Sequence, residues 1–70
     1  MEDWPQIIGA NVRRYRLEQG RTQEQLAFDA QLDLTYIGGI ERGRRNPSLL
    51  VLARIADALK IDLTNLLARS

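Results

Sequence analysis

Residues 22–41 read TQEQLAFDAQLDLTYIGGIE and carry the start and stop patterns of two short helices. The hydroxyl of Thr22 can cap the first helix, and Gln25, three residues later, can reach back to the Thr22 backbone in a capping box. Leu26, Ala27 and Ala30 then follow at helical spacing. The pattern predicts a helix over residues 23–30 with one apolar face.

The second helix of this stretch follows after a turn of only about three residues, 31–33. Asp33 is a candidate N-cap, and Ile37 and Ile40 give a helix over residues 34–41 an inner face. The methyl side chain of Ala27 lets the two helices cross closely. Two helices joined by so short a turn are typical of a helix-turn-helix, whose second helix lies in the major groove of DNA.

The rest of the sequence predicts three further helices and no strands. The first helix runs from Asp3 or Pro5 to Gln19 and ends at Gly20. Ser48 caps a helix over residues 49–59, and Asp62 caps a short one over residues 63–68. The inner faces are expected at Trp4, Ile8, Val12 and Tyr15, at Leu49, Leu52, Ile55, Ala56 and Leu59, and at Leu63, Leu66 and Leu67. Residues 1–70 are therefore predicted to form one all-α domain.

The composition excludes several classes of function. The 70 residues contain no cysteine and no histidine, which removes disulfides, thiol metal sites, the commonest general base and the commonest zinc ligand. No apolar run approaches the roughly 18 residues of a membrane span, and no signal-peptide pattern is present. We expect a cytoplasmic protein that is not an enzyme and binds no metal, cofactor or membrane.

The charge distribution is more informative than the net charge of +1. Arg42, Arg44 and Arg45 follow the second helix of the motif, with Asn46 after them. This placement predicts contact with a phosphate backbone, whereas an isolated arginine cluster of this kind is usually a solvated loop. A carboxylate pair at catalytic spacing and a glycine-rich phosphate loop are both missing, which argues further against catalysis.

A longer pattern spans residues 7–67 and consists of Gln23-x-x-Leu26-Ala27, Tyr36-Ile37-x-x-Ile40-Glu41-Arg42-Gly43, Asn46-Pro47-Ser48 and then Leu52, Ile55, Ala56 and Leu59. It resembles the lambda-repressor/Cro-like DNA-binding domain of the XRE type. The resemblance implies a compact five-helix fold in which helices two and three form the helix-turn-helix. It also implies a sequence-specific transcriptional regulator, a repressor or controller protein, that binds palindromic double-stranded operator DNA as a homodimer.

The resemblance further implies roles for individual residues. Gln23, at the start of helix two, matches a phosphate-contacting position, which suits the free N–H groups of a helix N-terminus, and Thr22 is expected to share the phosphate. Arg16 and Glu41 match a structural ion pair. The remaining phosphate contacts are expected at Arg42, Arg44, Arg45 and Asn46. Base readout is expected at Asp33, Leu34, Thr35, Tyr36 and Gly39, on the start and exposed face of helix three.

The sequence departs from the family pattern at several of these positions. Leu34 and the pair Gly38-Gly39 stand where relatives often carry hydrogen-bonding side chains, so Leu34 is expected to contact a thymine methyl group. The glycines allow a structural alternative, a close backbone approach to DNA or to helix one. Tyr36 either reaches a phosphate or packs. Gln31 occupies a turn position that is commonly Gly and must adopt a left-handed conformation.

Two questions remain open on the sequence alone. The leucines near the end of the chain either close the core or form a dimer surface; the candidates are Ile61, Leu63, Leu66 and Leu67. The same fold can also serve as a helical protein-interaction module, such as an antitoxin or adaptor, that binds a protein partner instead of DNA. Salt dependence separates the two functions, because binding through several arginines weakens steeply with salt.

Overall fold

The computed structural model describes residues 2–69, and the helices of this range are α1 (Trp4–Glu18), α2 (Gln23–Ala30), α3 (Leu34–Glu41), α4 (Leu49–Leu59) and α5 (Leu63–Leu67). The predicted all-α fold is confirmed. Two boundaries shift by one residue: α1 ends at Glu18 with Gln19 as its C-cap, and α5 ends at Leu67. None of the described helices has the length and apolar character needed to cross a membrane.

Each helix begins where the sequence supplies a side-chain cap. Thr22 accepts from the backbone N–H of Gln25 at 3.0 Å, and Gln25 Oε1 accepts from the N–H of Thr22 at 2.8 Å, which confirms the capping box. The other predicted N-caps are also present, each accepting from an N–H two or three residues further on: Asp3, Asp33, Ser48 and Asp62. Local hydrogen bonding therefore sets where these helices start.

The ends of α1 to α4 share one geometry. The residue after the helix, or the next one, has a positive φ: 67° at Gly20, 58° at Gln31, 74° at Gly43 and 59° at Lys60. The N–H that follows each of them bonds to the carbonyl five residues back, at 2.8 to 3.1 Å, as in a Schellman motif. The left-handed conformation expected at Gln31 is confirmed, and Lys60 adopts the same conformation without a signal in the sequence.

The buried side chains of the helices form one hydrophobic cluster, which contains Ile8, Val12, Leu26, Ala27, Ala30, Ile37, Ile40, Leu52, Ile55, Ala56, Leu59 and Leu66. Two predicted core residues are wrong. Leu49 is 68% exposed and Trp4 is 43% exposed. Both are the first residue of their helix, and that first turn extends beyond the part of the helix that packs on its neighbours.

Helix α1 packs against α3 and α5, and Gly9 brings it into backbone contact with the end of α3. A Cβ atom on Gly9 would overlap the carbonyl oxygen of Ile40 and lie 3.0 Å from that of Glu41. Gly9 therefore fixes how closely α1 crosses α3, and through that crossing it positions the helix-turn-helix. This role is not evident in the sequence, because the contact joins residues that are far apart in the chain.

Candidate nucleic-acid interface

The N-terminal turn of α3 is open to solvent. The Asp33 carboxylate accepts from the backbone N–H of Thr35 at 2.8 Å, so its side chain is used as the cap. Leu34 is 43% exposed, Thr35 is exposed and Tyr36 is half-buried. A helix that presents its first turn in this way can insert that turn into a groove, with the methyl groups of Leu34 and the hydroxyl of Thr35 foremost.

The middle of α3 differs from the prediction, because Gly39 is buried instead of exposed. The side chain of Arg45 covers it: a Cβ on Gly39 would lie 2.8 Å from Arg45 Cγ. Gly38 is similarly covered by Arg42, whose Nη1 would lie 3.2 Å from a Cβ at that position. The atoms nearest to a Cβ at either glycine belong to Arg42, Gln23 or Arg45 and none of them to α1, so neither glycine serves an approach to helix one.

The C-terminal end of α3 is held by the ion pair expected between Arg16 and Glu41. Arg16 Nε donates to Glu41 Oε2 at 2.7 Å and Arg16 Nη2 donates to Glu41 Oε1 at 3.0 Å, with the two side chains only 8% and 2% exposed. The hydrogen bond to Glu41 raises the pKa of Arg16, against the opposing effect of burial. The bidentate pair thus stabilises a carboxylate at a helix end that would otherwise repel it.

The same carboxylate connects three helices. Gln23 Nε2 donates to Glu41 Oε1 at 2.9 Å, and Arg16 Nη1 donates to the carbonyl of Arg21 at 2.8 Å. The N-terminus of α2 is therefore fixed beside the C-terminal end of α3. Within residues 2–69, the N–H groups of Gln23 and Glu24 have no acceptor, because the capping box uses those of Thr22 and Gln25.

Residues 42–46, here called the basic loop, carry exposed cationic and polar side chains: Arg42, Arg44, Arg45 and Asn46. Among the described residues, none of the three arginines takes part in an ion pair. Gly43, with its positive φ, is the second residue of the loop, and the buried Pro47 follows its last residue. Arginines held without counter-ions next to an exposed helix are suited to binding an anionic backbone.

The C-terminal leucines divide between core and surface. Leu66 is fully buried in the monomer core, so it is wrong as a dimer candidate, whereas Ile61, Leu63 and Leu67 are half-buried. The buried side chain of Asn11 donates from Nδ2 to the carbonyl of Leu66 at 2.9 Å and to the carbonyl of Ala68 at 2.7 Å. Asn11 thereby holds this end of the chain, a role that the sequence pattern does not reveal.

These features define a class of protein, the helix-turn-helix DNA-binding domain, with α3 as its recognition helix. The helix-turn-helix family model HTH_3 matches residues 12–66, which is more than half of the chain. The chain belongs to this family, and the expected XRE-type relationship is confirmed. Its function as a DNA-binding transcriptional regulator follows from the family and its members, and the alternative of a protein-interaction module is not supported.

Three relatives illustrate the similarity. Control protein C.SmaI from Serratia marcescens is 43% identical over 67 residues, which cover 96% of this chain and 80% of that protein. The crystal structure of the restriction-modification controller protein C.AhdI from Aeromonas hydrophila has a TM-score of 0.86 at 42% identity and covers 89% of this chain and 94% of its own. The crystal structure of the hypothetical transcription factor NHTF from Neisseria has a TM-score of 0.91 at 31% identity and covers 99% of this chain and 82% of its own.

Proposed function

We propose that the protein regulates transcription as a twofold dimer that places one α3 helix of each protomer in a major groove of a pseudo-palindromic operator. The observation that carries this proposal is the placement of charge beside the exposed turn of α3: the basic loop follows this helix, Arg45 Cζ lies 5.8 Å from the centroid of the Tyr36 ring, and the arginines of the loop have no counter-ion among the described residues. The protein acts by binding, without a catalytic step, and works in the cytoplasm, where its DNA lies.

The base contacts are assigned to the first turn of α3. Leu34 has only methyl groups to offer and suits the C5-methyl group of a thymine, while the exposed Thr35 hydroxyl can bond a base edge. Asp33 has its carboxylate occupied by the cap and contributes mainly by fixing the start of the helix. Tyr36 lies in the same turn and is half-buried, and its hydroxyl is assigned to a further contact with the duplex.

The phosphate contacts are assigned to two groups that flank α3. The free N–H groups of Gln23 and Glu24 at the start of α2 bind one phosphate, assisted by the helix dipole. The Thr22 Oγ1 accepts from the Gln25 N–H, and its own O–H can donate to the same phosphate. Arg42, beside the start of α2, and Arg44 and Asn46 further along the basic loop bind the neighbouring phosphates, and they position the protein without selecting a sequence.

The dimer surface is assigned to the half-buried apolar side chains of Ile61, Leu63 and Leu67. One protomer presents a single recognition helix of eight residues, which is about 12 Å long and reads only a few base pairs. Twofold symmetry doubles these contacts and requires half-sites about one helical turn apart, roughly 34–36 Å.

The test is to select preferred sites from a random pool of duplexes and then titrate a duplex with one half-site against one with two inverted half-sites. Binding to the paired half-sites is expected to be cooperative and to weaken steeply with salt. Leu67→Arg should abolish the cooperativity but preserve binding to the single half-site. Leu50→Arg is the matched control, because Leu50 is 69% exposed and lies outside the assigned surface; the melting temperature of each variant verifies folding.

The salt dependence tests the phosphate contacts separately. Arg42→Ala should flatten the slope of log affinity against log salt by up to about 0.9 if the side chain neutralises one phosphate. Arg69→Ala removes the same charge from a residue that pairs with Glu2 and is assigned no DNA contact, and it should leave the slope unchanged. Equal affinity per half-site at every spacing would contradict the dimer. Affinity independent of salt in the wild-type protein would contradict the DNA-binding mode itself.

A further inference from the structure

Arginine side chains occupy the space beside the two glycines of α3, where a side chain at either position would otherwise lie. A Cβ on Gly39 would lie 2.8 Å from Arg45 Cγ, 3.3 Å from its Nε and 3.6 Å from its Cδ. The stem of Arg45 therefore runs through the volume that a side chain at position 39 would occupy. Although Arg45 belongs to the basic loop, its side chain is part of the surface of the recognition helix.

The direction of this side chain brings its charge toward the exposed turn of α3. The Cζ atom of Arg45 lies 5.8 Å from the centroid of the Tyr36 ring, one helical turn before Gly39. Within residues 2–69 Arg45 forms no ion pair, and its attraction to an aromatic face is weak at an exposed site. The guanidinium group is thus held beside the residues assigned to base contact, yet it is free to bond a stronger partner.

The other glycine shows that the two arginines face different flanks of α3. A Cβ on Gly38 would lie 3.2 Å from Arg42 Nη1 and 3.8 Å from Gln23 Oε1. Arg42 therefore shares its flank with the N-terminus of α2, where a phosphate contact is assigned. Arg45 shares its flank with Tyr36 and the first turn of α3, which faces the groove.

We propose that Arg45 supplies the base-reading side chain that position 39 lacks, and that it donates two hydrogen bonds to O6 and N7 of a guanine in the major groove. This proposal rests on the proposed function, since it requires α3 to lie in that groove. The planar guanidinium fork matches the two acceptors of guanine, which no other base presents in that arrangement. Gly39 is required because any larger residue displaces the Arg45 stem.

The test compares three variants with the wild-type protein in site selection from random duplexes, followed by affinity measurements on the selected site and on single-base changes at two salt concentrations. Arg45→Lys preserves the charge and removes the fork. Gly39→Ala preserves Arg45 and displaces its stem. Arg13→Lys is the matched control, because Arg13 is an exposed arginine of α1 that is assigned no DNA contact.

Arg45→Lys is expected to lose the preference for guanine at one position of each half-site, a discrimination of about 5- to 150-fold, with an unchanged salt slope. Gly39→Ala should weaken the preference at the same position, although the charge is intact and alanine favours the helix. Arg13→Lys should leave both the preferred site and the slope as they are. Melting temperatures of all three variants verify that the fold is preserved.

Two results overturn the proposal. If Arg45→Lys selects the same site as the wild-type protein with the same discrimination at every position, Arg45 does not read a guanine. If the wild-type protein selects a dimeric site but Gly39→Ala alters no position of it, the packing of Arg45 on Gly39 does not direct readout. Failure of the proposed function is distinct, because the wild-type protein would then select no site at all.

Discussion

The corner between α2 and α3 and the corner between α4 and α5 have nearly the same local structure. Gln31 and Lys60 adopt left-handed conformations with φ of 58° and 59°, and the next N–H bonds five residues back at 2.8 and 3.0 Å. Asp33 and Asp62 then cap the following helix with ψ of 140° in both. The sequences agree as well, since Gln31-Leu32-Asp33-Leu34-Thr35 corresponds to Lys60-Ile61-Asp62-Leu63-Thr64.

The two corners lead into helices of different character. After the first corner, α3 runs for eight residues, exposes Leu34 to 43% and continues into the basic loop. After the second, α5 runs for five residues, and Leu63 and Leu67 are half-buried. A helical corner is therefore a local structure with no function of its own. The side chains beyond it determine whether it presents a DNA-binding helix or an apolar surface.

Helix α1 anchors the far end of both helices through a buried polar side chain. Arg16 holds the carboxylate of Glu41 at the end of α3, and Asn11 holds the carbonyls of Leu66 and Ala68 at the end of α5. Within the described residues these two are the buried polar side chains of α1. The first anchor joins two charges and the second joins neutral groups, so their removal should differ in magnitude.

Arg16→Ala is expected to have the largest effect and to lower the free energy of unfolding by about 3 kcal/mol or more, because it leaves the Glu41 carboxylate buried with Gln23 as its remaining partner. Chemical denaturation measures the loss, and Arg13→Ala, which changes an exposed arginine of the same helix, is the control. The double variant Arg16→Met/Glu41→Leu should recover much of the loss. If Arg16→Ala and Arg13→Ala are equally stable, the pair does not hold α3.

Asn11→Ala should cost less, about 1–3 kcal/mol, because it leaves two carbonyl groups without their donor but strands no charge. The loss should be accompanied by faster hydrogen exchange at the end of α5, while the amides of α3 remain protected. Asn11 also accepts from Arg14 Nη2 at 3.2 Å, so Arg14→Ala is the control for that weaker contact. Equal acceleration of exchange in α3 and α5 would contradict separate anchoring of the two corners.

The local features of both corners could be predicted from the sequence. The contacts by which α1 anchors α3 and α5 could be predicted only in part. Caps depend on side chains that reach two or three residues along the chain, so Thr22, Asp33 and Asp62 are evident in the sequence. The role of Arg16 is predictable only from family resemblance, since its contact with Glu41 spans 25 positions. Nothing local distinguishes Asn11 or Gly9, whose partners lie in other helices.

The residues of the candidate site also fall into those whose exposure the sequence predicts and those whose exposure it does not. The exposure of Leu34 and Thr35 could be predicted, because both residues take their place from the helical register after Asp33. The burial of Gly39 could not, since it depends on a side chain that folds back from the basic loop. The burial of Leu66 and the exposure of Leu49 depend on which turn of a helix meets the core, a property that periodicity does not contain.

The N-cap of the second corner, Asp62, should make stability depend on pH. The backbone N–H of Thr64 lowers the pKa of the Asp62 carboxyl, with a further hydrogen bond from the Thr64 hydroxyl at 3.0 Å. The ionised form is therefore favoured in the folded state. Its contribution to stability is present above the ordinary aspartate pKa of about 3.9 and is lost as the pH falls through the lowered value.

The measurement is the free energy of unfolding of Asp62→Asn and Asp33→Asn relative to the wild-type protein between pH 3 and pH 7. Asparagine can still cap the helix, so Asp62→Asn removes the charge and leaves the helix start intact. The difference in free energy of unfolding between Asp62→Asn and the wild-type protein should shrink as the pH falls. Asp33→Asn is the matched variant at the equivalent position of the first corner. A deficit of Asp62→Asn that stays constant over the whole range would contradict preferential binding of the ionised form.

The smallest effect is expected where the corners agree most closely, at the two left-handed residues. Gln31→Gly and Lys60→Gly should each raise the free energy of unfolding by no more than about 1 kcal/mol, because glycine adopts this conformation without the clash of a Cβ atom. Gly20→Ala, at a left-handed position with open space around it, should lower stability by a similar amount and is the reverse control. Arg54 Nη2 donates to the carbonyl of Gln31 at 2.7 Å, a bond that Gln31→Gly preserves. Equal gains at the two corners would mean that their backbones are strained alike, and a loss at either would mean that its side chain contributes more than its conformation costs.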